Sequence, residues 1–169
     1  LIAFSDILTA LSRVWNSRHK DQCFLSLALP IAGIDPLYHL PILAKEEQFR
    51  FLWDLSPENC LAASGKCQYQ DLSGARRFEL AKRFTASIFE RLLDVTPHSS
   101  VEALPRILFA FSFFEQVSET KEAFAKPPSL QAVFPRWQLT RHGDISWLRI
   151  NGVALHYADA RELTEKLWM

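Results

Sequence analysis

The sequence predicts an α+β domain: an antiparallel sheet with helices packed on one face. Three observations predict it. Apolar residues recur at three- and four-residue spacing in two separated segments, the mark of amphipathic helices. Short apolar runs closed by Pro or Gly lie between and beyond them, as strands do. Near the C-terminus two such runs flank Arg141-His142-Gly143-Asp144, a hairpin turn with Gly where a positive φ is required. Strand-rich blocks separated by a few helices build an antiparallel sheet with helices against it.

The elements follow in order. Phe4, Ile7, Leu8, Leu11, Val14 and Trp15 fall on one face of an N-terminal helix. Cys23–Leu29 is an apolar run closed by Pro30 and reads as a strand. Gly33-Ile34-Asp35-Pro36 breaks the chain, because Pro36 disfavours helical geometry at Asp35. Gln48–Leu55 reads as a second strand, turned by Ser56-Pro57-Glu58-Asn59 into a third at Cys60–Ser64, which Gly65 ends. Ser73 is a candidate N-cap for a helix from about Gly74 to Leu93, with Phe78, Ala81, Phe84, Ile88, Phe89 and Leu92 on its apolar face. Pro97 blocks its continuation.

Arg106–Phe114 follows Pro105 as the strongest strand candidate, apolar on both faces, and Glu115–Leu130 reads as a polar loop. Ala132–Thr140 and Ile145–Asn151 are the strands of the hairpin. A last helix starts near Asp159, where Asp159 and Glu162 complement the positive helix end and Glu162–Lys166 adds an i,i+4 pair.

Composition narrows the function classes. The 169 residues are 49% hydrophobic and 12% aromatic, enough for one core, and Lys+Arg and Asp+Glu are both 19. A nucleic-acid binder normally carries a basic excess, which a net charge of zero lacks. Cys23, Cys60 and Cys67 are an odd count without Cys-x-x-Cys spacing, as expected of reduced thiols in a cytoplasmic protein. A Cys60–Cys67 bridge would need adjacent strands to bring the two together. The apolar stretches are far shorter than a membrane span, and no signal-peptide pattern opens the chain. A start at Leu1 and an end at Met169 without a helix-ending signal are expected of a piece of a longer protein.

Chemistry is harder to find. His19, His39, His98, His142 and His156 are scattered singly, without metal-ligand spacing. Phosphate-binding glycine loops and the Gly-x-Ser-x-Gly nucleophile elbow do not occur. The carboxylate groups Glu46-Glu47, Glu115/Glu119/Glu122 and Asp159/Glu162/Glu165 are interleaved with Lys or Arg, as on solvated faces. Phe109, Phe111, Phe113 and Phe114 bunch as in a core strand. No catalytic, cofactor-binding or metal-ligating residue is assigned from the residues themselves.

A resemblance supplies what the residues do not. Leu29-Pro30-Ile31-Ala32-Gly33-Ile34-Asp35-Pro36-Leu37 resembles the LP-x-x-GIDPL stretch of isochorismate synthases of the menaquinone and phylloquinone branch, members of the chorismate-utilising enzymes. Phe49-Arg50-Phe51-Leu52-Trp53 resembles that family's aromatic-x-Trp strand, and Leu61-Ala62-Ala63-Ser64-Gly65 its small-residue strand. Leu104-Pro105-Arg106-Ile107-Leu108-Phe109-Ala110-Phe111-Ser112-Phe113 is similar to its PR-x-x-GG-x-x-F strand, with Phe109 and Ala110 in place of two glycines. Val133-Phe134-Pro135-Arg136-Trp137-Gln138-Leu139 is similar to its PRW strand. Order and spacing match over nearly the whole chain.

The resemblance implies that residues 1–169 are one domain, the non-catalytic N-terminal portion of a longer isochorismate synthase. The parent converts chorismate to isochorismate with Mg²⁺, using a base for water, an acid for the leaving hydroxyl and a cation facing a carboxylate. Those groups belong to a chorismate-binding domain expected downstream, which is this portion's implied partner. No catalytic role transfers to any position here, and the fragment alone is expected to hold no metal and to be inactive. The feedback tetrapeptide Leu-Leu-Glu-Ser of anthranilate synthases is absent; Leu92-Leu93-Asp94-Val95 is a poor imitation. Salicylate, aminodeoxychorismate and anthranilate synthases remain as sister readings. A stand-alone interaction or regulatory module of the same fold is the rival from another class, and an enzyme with a scattered site the third.

Overall fold

An amphipathic turn of sequence opens the structure, a computed structural model that describes residues 3–17, 22–45, 47–56, 59–96, 101–113 and 128–168. Helix α1 (Phe4–Ser17) buries Ile7 and Leu11 completely, with Val14 and Trp15 packed beside them. Asp6 in its first turn accepts from the Ala3 amide at 3.2 Å, placing a carboxylate at the positive helix end.

Strand β1 (Cys23–Ala32) does not stop at Pro30 but runs two residues beyond it, paired with Trp147 at Pro30. The proline is tolerated because β1 has a partner on its other edge only from Phe24 to Ser26. After Gly33, at φ +70°, comes an element the sequence reading lacks: helix α2 (Pro36–Leu43). Asp35 stays extended at φ −90° and ψ 119°, as Pro36 demands, and caps the helix by accepting from the Leu37 amide at 2.9 Å. Pro36 and Pro41 within eight residues, and exposed Leu37, Tyr38 and Ile42, leave no stripe for a periodicity to reveal.

Strands β2 (Arg50–Ser56) and β3 (Asn59–Leu72) form the expected hairpin, with Arg50 opposite Ser64 and Trp53 opposite Leu61. Gly65 does not end β3. Its φ of +65° is accommodated by a register shift between Lys66 and Gln68, and the strand continues to Leu72. Helix α3 (Arg77–Glu90) is shorter than the Gly74–Leu93 reading at both ends, and Ser73 is not its cap; Arg76 occupies that position without a capping hydrogen bond from its side chain. Of the expected apolar face, Ala81, Phe84 and Ile88 are buried, while Phe78 and Phe89 stay exposed. Leu92–Asp94 leaves the helix to form β4, because Leu92 and Leu93 serve a strand as well as a helical stripe.

The Arg106–Phe114 reading contracts to β5 (Leu108–Phe111), since Arg106 gives its amide to the Gln138 side chain at 3.2 Å instead of a ladder partner. Phe114, Pro97 and most of the polar loop expected at 115–130 lie outside the described residues. The expected hairpin is present as β6 (Leu130–His142) and β7 (Ile145–Ala154), turning at Gly143 with φ +57°. Helix α4 (Tyr157–Trp168) follows, with Asp159 accepting from the Leu155 and His156 amides at 3.0 and 2.8 Å.

The fold class is α+β, as expected. The strand order is β2-β3-β6-β7-β1-β4, and β5 pairs the N-terminal part of β6. The sheet is mixed, not wholly antiparallel: β4 runs parallel to β1 because α3 carries the chain back across the sheet. Nor are the helices confined to one face. Alternate side chains of a strand point to opposite faces. Leu25, Leu27 and Ile150 pack with Ile7, Leu11 and Ala160 of α1 and α4, while Phe24, Ala132 and Phe134 pack with Ala81, Phe84 and Ile88 of α3. Phe24 and Phe134 meet edge-on at 5.8 Å, at the centre of that second layer.

Candidate functional site

On the α3 side of the sheet, strand alternation buries a row of polar residues, Ser26, Gln138, Thr140, Arg149 and Asn151. Arg149 of β7 is paired opposite Gln138, and Ser26 opposite Asn151, so the row runs across three adjacent strands. Arg149 donates through Nε to the Ala103 carbonyl at 2.5 Å, through Nη1 to the Ser26 hydroxyl, and through Nη2 to Asp94 at 3.1 Å and Thr96 at 3.2 Å. Burial depresses its pKa, and the Asp94 carboxylate opposes that shift. Gln138 completes the tie, giving Nε2–H to the Leu104 carbonyl at 2.9 Å while accepting from the Arg106 amide. The row thus pins residues 103–106 to the sheet; its donors go to protein acceptors and leave the guanidinium no evident task in catalysis.

Those pinned residues form one wall of a cleft of about 700 Å³. Pro105, Arg106, Ile107, Leu108 and Phe109 face Phe51, Trp53 and Leu61 of the β2–β3 hairpin, with Thr85 and Phe89 of α3 contributing from the helix. The volume is in the range of small-molecule sites, and the lining is mainly apolar. Some of its polar residues are already paired. Arg141 pairs with Asp35 at 2.9 Å, and His142 Nδ1 lies 2.5 Å from the Asn59 side-chain oxygen. The arrangement can bury aromatic and aliphatic surface. Among the described residues that line it there is no nucleophile–base pair and no pair of facing carboxylates.

The polar residues singled out in the sequence are not brought together. His39 contacts the Asp35 carbonyl at 2.9 Å on α2, and His156 gives its amide to Asp159. His19, His98, Glu46 and the Glu115/Glu119/Glu122 series lie outside the described residues. Glu47 pairs with Arg136 at 3.6 Å, Glu162 with Lys166 at 2.5 Å and Glu165 with Arg161 at 2.8 Å. Among the described residues no three His, Cys, Asp or Glu side chains converge on a metal position. Cys60 and Cys67 sit on the same strand and are not bridged to each other; burial pushes the Cys67 thiol up to about 12.

The cleft and the Arg149 row were missed in the sequence. One signal exists for the row: Arg149 stands between Leu148 and Ile150 in an otherwise apolar stretch of the strand.

Comparison with known proteins gives this geometry a context. The family model described as "Chorismate binding enzyme" matches residues 9–169. The chain belongs to the chorismate-binding enzyme family. Among solved structures, it is similar to MenF, the menaquinone-specific isochorismate synthase from Escherichia coli, at 16% identity and a TM-score of 0.51. That match covers 95% of this chain and 33% of the MenF chain, so this member of the chorismate-binding enzymes spans about a third of that structure. At this identity the likeness shows the fold. No curated protein matches the sequence. Among the described residues no helix is long and apolar enough to cross a membrane.

Proposed function

We propose that this chorismate-binding family chain is the N-terminal structural domain of an isochorismate synthase whose catalytic portion lies downstream. The parent converts chorismate to isochorismate in the presence of Mg²⁺, and residues 1–169 scaffold that chemistry without performing it. The observation that carries the reading is the pairing of a family match over 9–169 with a fold match that takes in a third of an isochorismate synthase. The motif order supports it: the Leu29–Leu37 stretch, the Phe49–Trp53 strand and the Val133–Leu139 strand occur in that family's sequence.

Magnesium takes a near-octahedral set of oxygens, usually one or two carboxylates completed by water or substrate. No group of three or more His, Cys, Asp or Glu side chains converges among the described residues, and this reading assigns the ion to the downstream portion. What the described residues do is mechanical. The Arg149–Asp94 tie fixes 103–106 against the sheet, and that segment shapes the aromatic cleft beside the β2–β3 hairpin.

The test compares the product of the complete reading frame with residues 1–169, each incubated with chorismate and Mg²⁺ and assayed by chromatography. Isochorismate from the complete product and none above background from residues 1–169 is the expected result. Salicylate, aminodeoxychorismate or anthranilate from the complete product would move the parent to a sister enzyme. Turnover by residues 1–169 alone would end the structural reading.

A further inference from the structure

We infer that the outer edge of β2 is a dimerisation edge, on which β2 of a second copy of this chain pairs antiparallel about a two-fold axis at Leu52. The inference concerns assembly and does not depend on the reaction the parent performs.

Strand β2 closes one end of the sheet, and among the described residues no strand pairs with its outer side. Its backbone is turned to receive one. Phe49 accepts from the Gly65 amide at 3.1 Å, and the pairs Phe51–Ala63 and Trp53–Leu61 continue that register. Hydrogen-bonded pairs alternate along an antiparallel ladder, so Phe51 and Trp53 direct their N–H and C=O groups to β3. Arg50, Leu52 and Asp54 direct theirs outward. The opposite end of the sheet is protected. There β4 is three residues long, the Ala28 amide of β1 is taken by Thr96 at 3.0 Å, and Pro30 has no N–H to offer. Strand β2 has no proline, and its register shift falls after Asp54. Such an edge is a template for another strand.

The order of residues selects the occupant. Arg50-Phe51-Leu52-Trp53-Asp54 reads cation, aromatic, leucine, aromatic, anion. Turned about Leu52, it sets Arg50 opposite the partner's Asp54, Phe51 opposite the partner's Trp53, and Leu52 opposite itself. That register matches 50, 52 and 54 with one another, the three positions whose backbone faces outward. Ladder and side chains therefore demand the same alignment. A slip of one residue sets outward groups against inward ones, and a slip of two breaks both charge pairs. Arg50 and Asp54 are exposed, and Leu52 is 38% exposed, on the sheet face opposite the cleft that Phe51 and Trp53 line. Arg50 gives one N–H to the Ala44 carbonyl at 3.1 Å, and a guanidinium carries five. A patch complementary to itself about a two-fold axis is what a closed homodimer requires. Edge pairing extends the sheet sideways and leaves both of its faces as they are.

The test is the association of the product of the complete reading frame, followed by sedimentation velocity from about 1 to about 100 μM. A reversible dimer is expected. Arg50→Asp and Asp54→Arg each set like charges opposite at both symmetry-related pairs, and each should raise the dissociation constant about tenfold or more. Arg50→Asp combined with Asp54→Arg restores opposite charges in the same register and should return the constant to within about threefold of the parental value. The combined variant carries the decision even where a single variant folds poorly. By hydrogen exchange, the Leu52 and Asp54 amides should slow as protein concentration rises, whereas those of Phe51 and Trp53, already bonded to β3, should not. A monomer throughout the range overturns the inference. So does a dimer indifferent to both single variants, or a charge swap that fails to restore association. Protection of 52 and 54 that is independent of concentration means the chain covers this edge itself, and it overturns the inference too.

Discussion

Arg149 of β7 reaches Asp94 of β4 across the intervening strand β1, at 3.1 Å, with its own side chain only 2% exposed. Removing one member of such a buried pair leaves the other uncompensated, which typically costs about 3–5 kcal/mol. Arg149→Ala also strands the Ala103 carbonyl and the Ser26 hydroxyl. It should therefore lower unfolding stability in urea by about 3 kcal/mol or more. Arg149→Met, which keeps much of the volume, should recover part of that loss. If both variants unfold at the parental urea concentration, the pair is not what ties residues 103–106 to the sheet.

Gly152 lies where α4 crosses β7. A Cβ built there overlaps Leu163 Cδ2 and comes within 3.2 Å of Cδ1. Leu163 can turn, but it packs against the core beneath α4. Gly152→Ala should cost about 1–3 kcal/mol through overpacking. Leu163→Ala costs stability alone, yet combined with Gly152→Ala the two losses should add to less than their sum. A double-mutant cycle by thermal unfolding measures the difference, and strict additivity would show that the two residues do not share the space.

How much of this was legible in the sequence depends on the signal each element carries. The β6–β7 hairpin announced itself through alternation on both sides of Gly143, and α1 through a clean apolar stripe. Leu92-Leu93 satisfies a helical stripe and a strand equally, so the sequence runs α3 on over β4 and hides the parallel β1–β4 pair. Gly65 looks like a terminator because a positive φ interrupts a regular strand, and only the paired register shows that β3 itself bulges between Lys66 and Gln68. The cleft was less legible still. Trp53, Phe89 and Phe109 come from three distant segments, and each alone reads as core. The aromatic run at β5 reads as an interior strand in the sequence, whereas its length of four residues and its exposed rings make it a rim.

Cys67 carries a prediction about reactivity. Its burial disfavours the thiolate, pushing the pKa up to about 12, and Cys60 is likewise raised by burial first and the Asp54 charge second. Thiolate is the reactive form, so at pH 8 native protein should label far more slowly than the free thiol. Unfolding in guanidinium should release all three cysteines for titration, since none is in a disulfide. Rapid native labelling of Cys67, located by peptide mapping, would contradict the burial.

Asp35 links pH to the seating of α2. Its carboxyl is held below the usual value chiefly by the hydrogen bond from the Leu37 amide; burial opposes this, and the Arg141 guanidinium adds a smaller lowering. A pKa depressed by folding contributes stability that is full above the unfolded value, about 3.9 for Asp, and is lost as pH falls through the lower folded value. Acidification from about pH 4 downward should therefore loosen the helix that follows Gly33, while the range from neutrality to pH 5 should leave this contribution unchanged. Asp35→Ala removes the cap and the ion pair together and should cost about 1 kcal/mol at pH 7, a figure kept near the N-cap value because solvent screens the exposed pair. Asp35→Asn retains a capping oxygen and should lose less, but its stability should no longer follow the acid limb. Carboxyl titration by NMR checks the premise: a midpoint for Asp35 at or above the ordinary aspartate value would remove the basis for both variants' behaviour.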